Sequence, residues 1–129
     1  MGTDAAGGHA HTVRARIARG IVTLLKENYG RGPEGAKAYL VDDAVLVVLS
    51  GGFTRAEATL LAAGHGQSVK DQRALFQDSM RQRFCDLIEG ETGRKVKSLM
   101  SANDQDADVF CQVFLLEPLT QDADTDTDG

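Results

Sequence analysis

Residues 29–50 read YGRGPEGAKAYLVDDAVLVVLS, and how this stretch folds settles the rest of the chain. Tyr29-Gly30-Arg31 closes a helical stretch. Gly30 has no Cβ and can end a helix in the left-handed conformation at little cost. Pro33 enforces the break. Two apolar runs follow, Ala36 to Val41 and Ala44 to Ser50, and they turn at Asp42-Asp43. Residues 92–117, TGRKVKSLMSANDQDADVFCQVFLLE, repeat the pattern. Thr92-Gly93-Arg94 closes a second helical stretch, and two further runs, Val96 to Ser101 and Asp108 to Glu117, come after it. The turn between them, Ala102 to Ala107, is rich in residues that tolerate turn conformations. The repetition predicts an α+β fold: two helix–β-hairpin (αββ) units around one antiparallel sheet of four strands. A short helix is inserted between the units, and two long helices lie on one face.

Working outward, helix one is expected from about His11 to Tyr29. Val13, Ile17, Ile21, Leu24, Leu25 and Asn28 recur at the three-four spacing that stacks side chains on one face. After the first hairpin, Thr54 and Glu57 fit a capping box, in which the threonine oxygen takes an orphan amide and the glutamate reaches back. A short helix from Arg55 to Ala63 should follow, ending at Gly64-His65-Gly66. Ser68 and Asp71 form a second, weaker capping signal for a long helix from about Val69 to Glu91. Its apolar stripe comprises Val69, Phe76, Met80, Phe84, Leu87 and Ile88, with Arg73 among them.

The strands are apolar on both faces. Leu40, Val45, Val47 and Leu49 alternate with Tyr39, Val41, Leu46 and Val48; Val109, Cys111, Val113 and Leu115 alternate with Phe110, Gln112, Phe114 and Leu116. A sheet wetted on one side would alternate cleanly between apolar and polar. The second face therefore needs a cover, either the middle segment or another copy of the chain. A homodimer is the expectation, with Leu46→Asp or Phe110→Asp disrupting assembly.

The chain of 129 residues suits one domain, and its 42% hydrophobic share can supply a core. The expected division is a flexible arm over 1–10, one α+β domain over 11–118 and a disordered acidic tail over 119–129. Asp122, Asp124, Asp126 and Asp128 in that tail carry most of the net charge of -5. An acidic balance and an aromatic content of 5% argue against nucleic-acid binding, despite Arg14, Arg16 and Arg19. Cys85 and Cys111 read as buried reduced thiols. The longest apolar run, Ala44 to Leu49, is too short to span a bilayer, and Met1 to His11 has no signal-peptide pattern. A cytoplasmic protein is expected.

No catalytic signature stands out. Gly51-Gly52 before a helix start could cradle an anion on exposed amides, but no phosphate-loop or dinucleotide glycine motif accompanies it. It reads first as a flexible approach to a capped helix. His65 between two glycines lacks a partner at fixed spacing and reads as a helix–helix turn. Arg73 on an apolar stripe is costly unless paired. Its partner is a carboxylate such as Glu57 or an anionic ligand; failing either, its head reaches water. Asn103, Asp104, Asp106 and Asp108 resemble a calcium loop but lack its glycine and terminal glutamate, and read as a polar turn. His9 and His11 make a weak metal pair. No metal, cofactor or catalytic residue is assigned.

The runs Tyr29-Gly30-Arg31-Gly32-Pro33, Leu46 to Thr54 with Glu57, Gly64-x-Gly66 with Val69, Arg73, Phe76 and Gln77, and Thr92 to Val96 through Asn103-Asp104 to Phe114-x-x-Glu117-Pro118 are together similar to the MpsC family. The resemblance covers roughly Ala10 to Pro118. It implies a non-enzymatic accessory or regulatory protein of a membrane Na+ or other ion-transport system, held at the inner face of the membrane by an integral membrane partner. The alternative is a homodimeric sensor of a small anion or metabolite. The positions to watch for ligand binding are Arg31, Gly51, Gly52, Thr54, Glu57, Arg73, Asn103 and Asp104.

Overall fold

A computed structural model describes residues 2–119, with side chains from His11 onward. The acidic tail from Thr120 and the side chain of His9 lie outside the described residues. The elements run α1 (Gly2–Tyr29), β1 (Gly35–Val41), β2 (Ala44–Ser50), α2 (Arg55–Ala62), α3 (Gly66–Ser79), α4 (Arg81–Thr92), β3 (Val96–Asp104) and β4 (Val109–Leu116). The helical backbone of α1 begins at Gly2, earlier than the apolar stripe from Val13 suggested.

The two αββ units share one antiparallel sheet in the order β1-β2-β4-β3. The second strand of each hairpin pairs with the other, Leu46 opposite Val113 and Val47 opposite Gln112. The repeat therefore meets itself at the sheet centre. Gly93 caps α4 at φ 71 and ψ 14, a conformation that costs a side chain about 1–2 kcal/mol.

The core lies between the sheet and the helices. Ile17 and Ile21 of α1, Phe84 and Ile88 of α4, and Val45, Val47 and Phe114 of the sheet are fully buried. At Gly20 the helix surface is so close to Leu87 that an added Cβ would fall 2.7 Å from its Cδ1. The missing side chain thus sets how near α1 and α4 approach. Asn28 leaves the expected stripe: it is exposed, donates to Leu24 O at 2.9 Å and accepts from Arg83 at 2.7 Å.

The expected long helix is two. α3 ends at Ser79 and α4 starts at Arg81, with Met80 at φ -94 and ψ 0 between them. The Ser79 hydroxyl donates to Leu75 O at 2.8 Å, a back-bond that bends helices. The stripe keeps its phase across the bend, because Val69, Met80, Phe84 and Ile88 are all buried. Ser68 and Asp71 form no cap; α3 starts earlier, at Gly66, with His65 before it and no side-chain cap bond. β3 also runs on through Asn103 and Asp104, which shortens the expected turn. Asp108 takes the left-handed position there, at φ 53.

The main helix–sheet packing is α1 on β1 and α4 on β3, on the side of the sheet where Val47 and Phe114 are buried. On the other side, the row Tyr39–Leu46–Val113–Met100 crosses all four strands. Tyr39 is 41% exposed, Val41 61% and Met100 51%. Phe110 is not part of that face. It pairs with Leu49 and Asn103 and packs against the core, on the helix side. The expectation that Phe110→Asp would act on the outer face is therefore corrected, since side chains alternate along a strand and Phe110 shares its side with Gln112 and Phe114.

Candidate functional site

The capping box at α2 is the seed of the site. Thr54 Oγ1 accepts from the Glu57 amide at 3.1 Å, and Glu57 Oε1 accepts from the Thr54 amide at 2.8 Å. A glutamate at this position usually stays wet, yet Glu57 is only 2% exposed. Its carboxylate also receives Arg73 from α3, with Nε on Oε2 at 2.9 Å and Nη2 on Oε1 at 3.1 Å. This two-pronged fork is the strong geometry for an arginine–carboxylate pair. Tyr29, the last residue of α1, donates its hydroxyl to Glu57 Oε2. Phe53 lies over the Arg73 guanidinium, 4.3 Å from ring centroid to Cζ, where the ring face attracts the cation. The Tyr29 ring meets Phe76 edge-on with centroids 4.6 Å apart.

The partner of Arg73 is thus Glu57, and the cluster ties α1, the 51–54 loop, α2 and α3 together. Burial opposes ionisation of Glu57, but the bonds from Arg73, Tyr29 and the Thr54 amide outweigh it and hold its pKa below the usual carboxylate range. Burial, then the hydrogen bond to Glu57, pushes the Tyr29 phenol up to about 12. The carboxylate, guanidinium and neutral phenol consume one another's bonding capacity. That arrangement suits a structural bolt better than an acid or base awaiting a substrate.

Beside the bolt is a small cleft of about 50 Å³, lined among others by Arg31, Gly51, Gly52, Arg73, Gln77 and Phe110. Gly51 and Gly52 have φ 72 and 109, which other residues adopt only with strain. A Cβ on Gly51 would fall 2.5 Å from Glu34 Oε1, so a carboxylate already lies against this glycine. Burial raises the pKa of Asp108, which is close enough to feel Arg73 and Glu34.

Of the residues singled out from the sequence, Thr54, Glu57 and Arg73 are directly bonded, and Arg31, Gly51 and Gly52 share the cleft with Arg73. Asn103 and Asp104 lie away from the bolt, at the end of β3. Asp104 accepts from the Ala107 amide at 3.2 Å as a turn residue; Asn103 lines a second cleft, also reached by Arg73. Sequence reasoning missed Tyr29, Phe53, Gln77 and Gln112. Gln112 had a signal, as the single polar residue among Phe110, Phe114 and Leu116; Tyr29 and Phe53 stand in the runs that carry the family resemblance, but only tertiary approach brings them to Arg73. Among the described residues, no three His, Cys, Asp or Glu side chains cluster to hold a metal. No helix among them is long and apolar enough to cross a membrane.

YbcI, an uncharacterized protein of Bacillus subtilis (strain 168), is 31% identical over 88 residues, which is 67% of this chain and 71% of that protein. No solved structure matches the chain. Residues 9–118 match the family described as Na+-translocating membrane potential-generating system (MpsC). With the match covering most of the chain and the whole arrangement of two αββ units, this protein belongs to the MpsC family.

Proposed function

We propose that this chain is a non-enzymatic accessory or regulatory protein that works by docking, through the open face of its sheet, first with a second copy of itself. The observation that carries this reading is the row Tyr39–Leu46–Val113–Met100, flanked by Val41, Val48 and Leu115, which no helix covers among the described residues. A contiguous apolar surface of this kind is uncommon on monomers and marks interaction sites. The chemistry-bearing residues point the same way, since Glu57 and Arg73 are spent on each other. The family's description, a Na+-translocating membrane potential-generating system, supports an ion-transport setting, and in this reading the chain is a cytoplasmic subunit attached to an integral membrane partner. A chain of this kind would contribute regulation or assembly, not the conduction path. Light scattering on the purified chain tests the first step. A dimer that Leu46→Asp converts to a folded monomer supports docking through this face; a wild-type monomer removes it.

The homodimeric anion-sensor reading has narrower support, the grouping of Arg31, Gly51, Gly52 and Arg73 about one cleft. Glu57 already answers the charge of Arg73, and Glu34 lies against Gly51. A thermal-shift series with phosphate and bicarbonate tests it. A concentration-dependent rise in Tm follows from mass action if either binds.

A further inference from the structure

The sheet has two edge strands, β1 and β3, and they are unequally protected. An edge strand presents a row of unpaired N–H and C=O groups, which proteins blunt with bulges, charges or a cover. β3 carries a bulge between Val96 and Ser98, with Lys97 at the irregularity. β1 has none, since Gly35–Val41 pair with β2 in unbroken register. Beside β1 and against α1 is a cleft of about 440 Å³. Residues 36–41 all line it, and because side chains alternate along a strand, a cleft that touches every one of them follows the strand's edge. The small side chains of Ala15 and Ala18 line it from α1. A second cleft of about 290 Å³ shares Ala18 and Ala36 and carries the groove on to Val22. An open strand edge is where an extended segment adds as a further strand.

The groove is basic. Arg14 and Lys37 line its first part and Arg19 its second, and no carboxylate lines either. Among the described residues none of these three cations is in an ion pair. The sequence holds a complement in Asp122-Ala123-Asp124-Thr125-Asp126-Thr127-Asp128, which lies outside the described residues. In an extended strand its four aspartates share one face, and Ala123, Thr125 and Thr127 the other. Side chains two apart on a strand are about 7 Å from each other, and Arg14 and Arg19 are about 7.5 Å apart along the helix axis.

The chain also leaves the sheet at the matching end. The backbone N–H of Leu116 donates to Asp43 O at 2.8 Å, so β4 ends beside the turn where β1 ends. From β4 across β2 and β1 to a position beyond β1 is three strand spacings, about 14 Å. Residues 117–121 span up to about 17 Å when extended. Residues 122–128 can then run from Val41 back toward Gly35, seven residues against the seven of β1.

We infer that the groove between α1 and the edge of β1 receives residues 122–128 of the same chain as a fifth, antiparallel strand, with its aspartates turned to Arg14 and Arg19. This docked segment takes the place of the disordered tail expected from composition. Aspartate is a poor strand former, so charge carries the association and salt weakens it. The inference does not rest on the pairing of two copies through the open sheet face, because one chain supplies both groove and strand.

The test is NMR spectroscopy on the full-length, isotopically labelled chain. Cross-strand nuclear Overhauser contacts are expected between residues 122–128 and 36–40, with amide exchange in 122–128 slowed about tenfold or more. Both should fade in about 1 M salt, where the Debye length is about 3 Å. Two full-length variants should lose both while the amides of Ile17 and Phe114 stay protected: one with Asp122, Asp124, Asp126 and Asp128 all changed to Asn, the other Arg14→Glu with Arg19→Glu. Absence of the contacts in the wild-type chain would overturn the inference. So would contacts that survive the double charge reversal, which would leave the groove without a part in them. A sample mixing labelled and unlabelled copies separates contacts within a chain from contacts between chains. Contacts found only between chains would also overturn it, by making the occupant the tail of a second copy.

Discussion

At the scale of single residues, the determining interaction is a carboxylate taken out of water and given four donors. Removing one member of a buried ion pair strands the other, at a typical cost of about 3–5 kcal/mol. Arg73→Ala should approach that loss in urea denaturation, and Arg73→Lys should recover only part of it, since an ammonium cannot reproduce the fork. The pH dependence follows from the direction of the Glu57 shift. Its carboxyl is held below the ordinary range when folded, so the unfolded chain takes up the proton first on acidification. The contribution is present above the ordinary glutamate range and is lost as pH falls through the folded pKa. Glu57→Gln should therefore be less stable near neutrality and show a flatter acid limb. Tyr29 has the opposite sign: raised to about 12 from 10.0, it contributes below pH 10 and loses that contribution as pH climbs toward 12. The difference between wild type and Tyr29→Phe in alkaline denaturation should shrink across that window.

At the scale of elements, helix ends and helix approach were encoded unequally. The Thr54–Glu57 box was readable because its spacing is local, and Thr54→Ala should cost about 1 kcal/mol by loss of the cap, measured by chemical denaturation. The stop at Gly93 was readable for the same reason. The bend at Met80 was not, because the apolar stripe continues in phase through it and only the Ser79 hydroxyl bond to Leu75 marks the change. The close approach of α1 and α4 was also hidden, since Gly20 inside a helical pattern looks merely unfavourable. Gly20→Val should cost more than the helix-propensity difference alone, because Leu87 occupies the space its side chain needs. A lowered Tm with unchanged helical circular dichroism would show it.

At the scale of the whole molecule, two αββ units complete one sheet, and among the described residues no helix covers its second face. The apolar character of both strand faces was legible, but which residues face outward depended on register. Leu46 was placed correctly and Phe110 was not, because the sequence shows that residues alternate without saying which set meets the helices. Met100→Asp, like Leu46→Asp, should weaken the proposed association, being opposite Val113 in the same row, whereas Phe110→Asp should lower stability instead. Sedimentation alongside thermal melts separates the two behaviours.

Local chemistry was enough to establish the two-unit architecture, the helix stops and the capped start of α2. Each depends on residues within a few positions of one another, where periodicity and backbone preference act directly. The long-range partners came from packing. Arg73 could have met a carboxylate, a ligand or water, and it is the convergence of α1, α2 and α3 that selects Glu57 and adds Tyr29 and Phe53. The strand order likewise arises between segments far apart in the chain, where spacing within a segment carries no information about distance.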